Sequence, residues 1–435
     1  MAAQVHQLSY HPLTAHAFNA DRSKVAVSPN TNEICIYAST PGGWVLEHTL
    51  AEHDRVVTGL DWAPTTDRIV SCSQDRNAYV WTCSRDPELG EVWKPTLVLL
   101  RLNRGASVVR WSPREDKFAV ASSARAIAVC SFEEDNDWWV AKHIKRPLRS
   151  TVLAIDWHPN NVLLAAGAAD GHARVFSAYI KGVDEKPPPS VWGERLPFGT
   201  VCGEFTSPSR GWVEAVAFSP SGDALAFVGH DASLIVVYPS SADAPPKGMY
   251  VIRLPSLPYM AILFLSEGAI VAAGHDCQPI LFEGALDRGW HFVRSLDASG
   301  AAAAKGKPPP PPPPKAAALS GGGGAGGVGR LNNEAFNRFR AADLRGAAPA
   351  PPPTDSGEIS PRVLGAVAGA SIGDDGELHT THQNTITEVR AYSGEPHDVR
   401  SVSTSGVDGR LCVFDASKGS VAIASILKGV ASISI

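Results

Sequence analysis

His53, Ser71 and Asp75 have the side-chain types that hydrolytic chemistry uses. A serine oxygen becomes a nucleophile when an imidazole takes its proton and a carboxylate holds that imidazole in the working tautomer. No Gly-x-Ser-x-Gly turn surrounds Ser71 to present it as such a nucleophile. There is also no Gly-x-x-x-x-Gly-Lys-Ser/Thr loop, no Gly-x-Gly-x-x-Gly after a strand and no His-Glu-x-x-His. The glycine-rich stretch from Gly321 to Gly327 has no following Lys-Ser/Thr, so it makes no phosphate cradle. Seven cysteines are an odd number without Cys-x-x-Cys spacing, and Cys35, Cys72, Cys130 and Cys412 stand in apolar, strand-like runs. They read as reduced, buried thiols rather than disulfides or a zinc site. The expectation is no enzyme, no cofactor and no metal.

The elements that must position these side chains follow from a repeat. An apolar run ends in Trp or Phe and a polar or proline turn. A second apolar run follows, then a turn with Asp, then a third run closing on a bulky residue. Val57 to Pro64, Arg68 to Asp75 and Ala78 to Trp81 make the clearest copy; Val152 to Pro159, Leu163 to Asp170 and Ala173 to Phe176 make the next. Weaker copies anchor on Phe18, Trp111, Phe218 and Phe264, and a last one runs from Ile386 to Phe414. The turn aspartates Asp75, Asp170, Asp231, Asp276 and Asp408 each stand six residues before Trp81, Phe176, Val237, Phe282 or Phe414. About 45 residues per unit, read as four short strands, are the signature of a propeller blade. The fold class is therefore all-β: a seven-bladed WD-repeat β-propeller, with the segment from Val5 to Leu13 supplying the outer strand of the seventh blade. In that fold His53, Ser71, Asp75 and Trp81 form a buried hydrogen-bond network within a blade, not a catalytic triad.

The chain has 435 residues, 44% of them hydrophobic and 19% charged, enough to bury a large core. Its formal net charge of -5 argues against nucleic acid or membrane as a partner for the whole surface. No apolar run reaches membrane-spanning length, and the N-terminus lacks the pattern of a secretory signal. Residues 1–297 read as blades one to six, 298–380 as a Pro/Gly-rich insert, and 381–435 as the last blade and tail. The insert holds Pro308 to Pro314, which we read as a polyproline spacer rather than a binding motif.

Two stretches have the chemistry of binding. Lys142, Lys145, Arg146 and Arg149 are clustered, with His143 among them, close to the acidic Glu133, Glu134, Asp135 and Asp137. They suit an acidic partner, the alternative being a solvated face. Within the insert, Leu331, Ala335, Phe339 and Ala342 fall on one helical stripe with Phe336 at its edge, and Gly346 is a stop. A short helix near 331–345 flanked by flexible linkers reads as a peptide that docks in a groove.

Longer stretches are more specific. They include Asp75-Arg76-Asn77-Ala78-Tyr79-Val80-Trp81, Asn136-Asp137-Trp138-Trp139-Val140, and Arg174 to Lys181 with Val183-Asp184-Glu185-Lys186-Pro187. Asp156 to Gly167 and Ala272-Ala273-Gly274-His275-Asp276-Cys277 belong with them. In order and spacing the chain resembles the WD-repeat subunit, subunit one, of the actin-related protein 2/3 complex, from about Phe18 to Phe414. The resemblance implies a non-catalytic subunit of a cytoplasmic, cytoskeletal assembly at actin patches or cortical actin, which nucleates a daughter actin filament on the side of a mother filament. Implied partners are the other subunits, the actin filament and the acidic tails of nucleation-promoting factors. It also implies an insert helix against actin, with Phe339-Arg340 and Asn332-Asn333 at the matching place. The proline and glycine flanks are longer than the family's, and residues from Val421 to Ile435 match it poorly. The competing reading is a generic WD-repeat scaffold, such as a ubiquitin-ligase substrate receptor.

Overall fold

The computed structural model describes residues 3–88, 90–194, 196–240, 244–297 and 378–417. The repeats fold into seven antiparallel, four-stranded sheets. Six of these blades cover 15–50, 57–98, 106–144, 152–206, 213–253 and 259–295, and within each the sheet order is the chain order. The seventh takes three strands from 386–415 and its outermost strand from Gln4–Gln7. First strands of neighbouring blades pack against each other all the way round, including Ile386–Glu395 against Ala15–Phe18. The chain is thus a closed seven-bladed propeller of WD-repeat type.

Blade two shows why these residues make these strands. Trp62 lies opposite Ile69, Ile69 opposite Trp81, and Trp81 opposite Pro95. The second strand, Arg68–Ser73, is buried from Ile69 onward because neighbouring blades cover both its faces. It therefore reads as a continuous apolar run instead of an alternating one. The outer strand, Gly90–Val98, is largely open until Val98.

Six first strands slip register around their second residue, between Val57 and Gly59 in blade two and at the equivalent step in blades three to seven. A bulge re-aims the extra side chain. In three blades it carries a hydroxyl that reaches the next blade. Thr58 Oγ1 donates to the Ala106 carbonyl at 3.1 Å, Ser107 Oγ to Val152 at 2.6 Å, and Thr387 Oγ1 to Leu13 at 2.7 Å.

The ring closes where Gln4 pairs with Val413 and Gln7 with Arg410. The Leu8 and Ser9 N–H groups then donate to the Gly409 carbonyl at 3.2 and 3.3 Å. Gly409 has φ +75°, and a Cβ there would stand 2.0 Å from the Ser9 carbonyl oxygen, so the latch requires glycine. The strand expected from Val5 to Leu13 ends at Gln7; beyond it a loop buries Leu13 completely.

The proline run and the helix expected near 331–345 lie outside the described residues, as does the chain after 417. The described ends on either side of the insert are tied together. Thr381 donates its N–H and its hydroxyl to the Asp297 carboxylate at 2.5 and 2.9 Å.

Candidate functional site

His53 precedes the first strand of blade two, Ser71 lies on the second, Asp75 in the turn and Trp81 on the third. The Asp75 carboxylate accepts from His53 Nδ1 at 2.7 Å. His53 Nε2 lies 2.8 Å from Ser71 Oγ, and Trp81 Nε1 donates to the same oxygen at 2.9 Å. With the indole N–H spent on Ser71 Oγ, the serine proton points to the imidazole. The order carboxylate–imidazole–hydroxyl is that of a hydrolase, but Ser71 is 0% exposed and Trp81 caps it. A nucleophile must reach a substrate atom; this one cannot. Burial pushes the Asp75 carboxyl up, and bonds from His53, Asn77 and Asp54 outweigh it and hold the carboxyl below its ordinary value.

A second network of this design stands in blade seven, and the sequence reading missed it. His382 Nδ1 lies 3.1 Å from both Asp408 oxygens, and its Nε2 lies 2.7 Å from Thr404 Oγ1. The signal was present: Thr404 stands four residues before Asp408, as Ser71 does before Asp75. In blade four Arg174, nearly fully buried, bonds Asp170 and Glu204 instead.

Carboxylates on the first strands were also missed. Asp61 accepts from the Trp111 N–H at 2.8 Å, Asp156 from Phe218 at 2.8 Å and Glu388 from His16 at 2.7 Å, each crossing to the next blade. They line a central channel of about 830 Å³ together with Arg110 and Arg390. Arg390 bridges Asp61 and Glu388 at 2.6 and 2.9 Å, and Arg110 meets Glu388 at 2.8 Å. Among the described residues no arginine comes within this range of Asp156. Burial raises its carboxyl to about 6, against the opposing pull of the Phe218 N–H and the more distant Arg110.

Glu47, His48 and Glu91 bring metal-type ligand atoms within 4.8 Å of one another. Lys24 is already ion-paired with both carboxylates, so the charge a cation would supply is present.

Lys142 lies on the outer strand of blade three, Trp138–Ile144, opposite Val129. Lys145, Arg146 and Arg149 follow in the connection to blade four, which the buried Leu148 anchors. All four cationic side chains are exposed. His143 does not join them: its Nε2 is bonded to the Leu100 carbonyl at 2.8 Å. Leu331, Ala335, Phe336, Phe339 and Arg340 lie outside the described residues.

Among the described residues no helix is long and apolar enough to cross a membrane. The family model for the WD domain, G-beta repeat, matches residues 44–82, and that for the anaphase-promoting complex subunit 4 WD40 domain matches 109–186. The actin-related protein 2/3 complex subunit 1 of Schizosaccharomyces pombe is 46% identical over 95% of this chain and 99% of its own length. Subunit 1A-B of Xenopus laevis is 44% identical over 94% of this chain and 96% of its own. Subunit 1 of Saccharomyces cerevisiae is 36% identical, again over 94% and 96%. On likeness of this extent, running through all seven blades, the chain belongs to the family of subunit 1 of the actin-related protein 2/3 complex.

Proposed function

We propose that this chain is a non-catalytic structural and interaction subunit of an actin-related protein 2/3 complex, acting in the cytoplasm on the actin cytoskeleton, where it supports nucleation and branching of filaments. The observation that carries the reading is coverage in both directions: the three relatives named above align over more than nine-tenths of this chain and of themselves. The sealed Ser71 hydroxyl supports a role without catalysis. In this reading the propeller organises the other subunits. The segment 331–345 meets the actin filament through Leu331, Ala335, Phe336, Phe339 and Arg340.

Lys142, Lys145, Arg146 and Arg149 receive the acidic tail of a nucleation-promoting factor. Their exposure on a chain of net charge -5 supports this. Reversing the four charges is expected to weaken binding of an acidic activator peptide, less so as salt rises. Unchanged affinity at low salt would assign the cluster to solvent.

A ubiquitin-ligase role has behind it the match over residues 109–186, and likeness to a WD40 domain fixes a fold without fixing a function. Native mass spectrometry of the tagged chain tests the main reading. A stoichiometric assembly containing actin-related proteins is expected; a monomer, or a complex with a cullin adaptor, overturns it.

A further inference from the structure

One end of the propeller carries the turns between second and third strands and the connections between blades. Four arginines in these segments have left-handed backbone: Arg76 at φ 75°, Arg101 at 52°, Arg125 at 57° and Arg210 at 53°. Side chains with a Cβ rarely take this conformation. The residue after the turn aspartate is left-handed in five blades, as Arg76 in blade two, Gly171 in blade four, Ala232 in blade five, Cys277 in blade six and Gly409 in blade seven, so at Arg76 the turn sets the angle and the chain supplies a cation. All four arginines are exposed, as are Arg55 and Arg104 in the adjoining connections. None of the six guanidinium groups has a hydrogen bond or ion pair among the described residues. Arg55 and Arg76 line one cleft of about 540 Å³ between blades two and three together with Asp54 and with Asp75, whose carboxylate is taken up by His53. At the opposite end the charged left-handed residues are mixed in sign: Arg22, Asp67, Glu115 and Asp137.

The arginine-rich end also presents four large apolar side chains, each from a different connection between blades: Tyr10, 99% exposed, Leu99, 57%, and Trp212 and Leu257, both 54%. Trp212 is braced by the His230 ring at 5.5 Å, and His230 is bonded to Glu214 at 2.9 Å. A peptide groove needs its apolar contacts contiguous, as anchors in one channel. Tips distributed round a ring and interspersed with arginines match a planar surface instead. Trp, Tyr and Leu settle at a headgroup layer, and each nearby cationic side chain is drawn to an anionic leaflet. We propose that this end of the propeller docks on an anionic lipid bilayer, with the arginines on the headgroups and Tyr10, Leu99, Trp212 and Leu257 at the interface. The net charge of -5 is a sum over the whole surface, and the expectation of no membrane partner drawn from it does not extend to this end.

Co-sedimentation of the full chain with vesicles tests this. Vesicles of phosphatidylcholine and phosphatidylserine in equal parts are expected to bind it, and vesicles of phosphatidylcholine alone are not. The variant R76G/R101G/R125G/R210G should lose about tenfold or more in affinity for the anionic vesicles. Its Tm should hold, because glycine suits these backbone angles. The corresponding four-lysine variant should keep the binding, as a charge effect requires. The proposal is overturned if the chain ignores anionic vesicles, binds neutral ones equally, or binds undiminished after the glycine changes. An interaction with polyglutamate that needs these arginines, without affinity for vesicles, would assign the face to an acidic peptide.

Discussion

Asp75 and Asp156 are both turned inward, and their surroundings push them in opposite directions. Asp75 is held below its ordinary value by its bonds from His53, Asn77 and Asp54, so its charged form stabilises the fold. That contribution is present above the unfolded pKa and fades as pH falls through the lowered folded value. Asp75→Ala also leaves His53 Nδ1 without its acceptor, at a cost of about 1–3 kcal/mol. A lowered Tm with partner binding intact below the transition is expected; an unchanged Tm with lost activity would revive the hydrolase reading. Asp156 is raised to about 6 by burial, so here the protonated form is the stable one. Its effect has the reverse sign: stability falls as pH climbs from the unfolded value through about 6, then levels off. At about 1.4 kcal/mol per unit, the ionised carboxyl costs on the order of 2–3 kcal/mol at neutral pH. Asparagine keeps an oxygen for the Phe218 N–H without the charge. Asp156→Asn is therefore expected to gain Tm over the parent at about pH 8 and to lose that advantage near pH 4. An advantage that did not change with pH would show that the channel solvates this carboxylate.

Between the third and fourth strands of blade four, residues 178–186 cross toward blade three and are pinned there by one buried ion pair, whereas Trp192 further on donates to the Gly222 carbonyl of blade five. Asp184 meets Lys117, and both side chains are essentially unexposed. Asp184 also accepts from Asn161 Nδ2 at 3.0 Å and from the Ile180 N–H at 2.7 Å, while the Lys117 ammonium sits 5.3 Å from the centre of the Trp157 ring. Removing one partner strands the other, so Asp184→Ala is expected to cost about 3–5 kcal/mol, read from denaturant unfolding. The pair K117M/D184L should recover most of it; if both variants match the parent, the crossing is held by its apolar contacts alone. This part of the structure marks the limit of what the sequence makes legible. The turn aspartates, the bulky residue six positions on and the continuous apolar second strands are local patterns, and the blades follow from them. The His53 network is local too, spanning 22 residues, whereas its counterpart from His382 to Asp408 spans 26 around a longer hairpin. Lys117 and Asp184, or Asp61 and Trp111, meet only because adjacent blades stack, and no spacing rule encodes that. The left-handed angle of Arg76 is equally silent, since a side-chain pattern does not write φ.

In the whole molecule the last blade is assembled from both ends of the chain, with Gln4–Gln7 as its outer strand, and the insert interrupts the ring just before it. Asp297 and Thr381 tie the two sides of that interruption together, so the propeller need not change when the intervening length does. Loop closure grows only slowly with length, about 0.6 kcal/mol per doubling, so a long insert at this point costs the ring little. Function in the insert should therefore reside in its apolar stripe and not in its linkers. Burying Phe336 and Phe339 in a partner groove would contribute about 1.5–3 kcal/mol each before ordering costs. A helix of about 15 residues is marginal alone and must recover its nucleation cost from that binding. The affinity expected from such docking would be modest and would become effective once the propeller, anchored in an assembly, held the segment near its target. Phe336→Ala with Phe339→Ala is expected to leave assembly intact and to lower branch formation on actin filaments, scored by microscopy of labelled filaments. Replacing Pro308 to Pro314 by a Gly/Ser linker of equal length should change branching far less. Normal branching in the alanine variant together with its loss in the linker variant would move the binding element from the helix to the polyproline run.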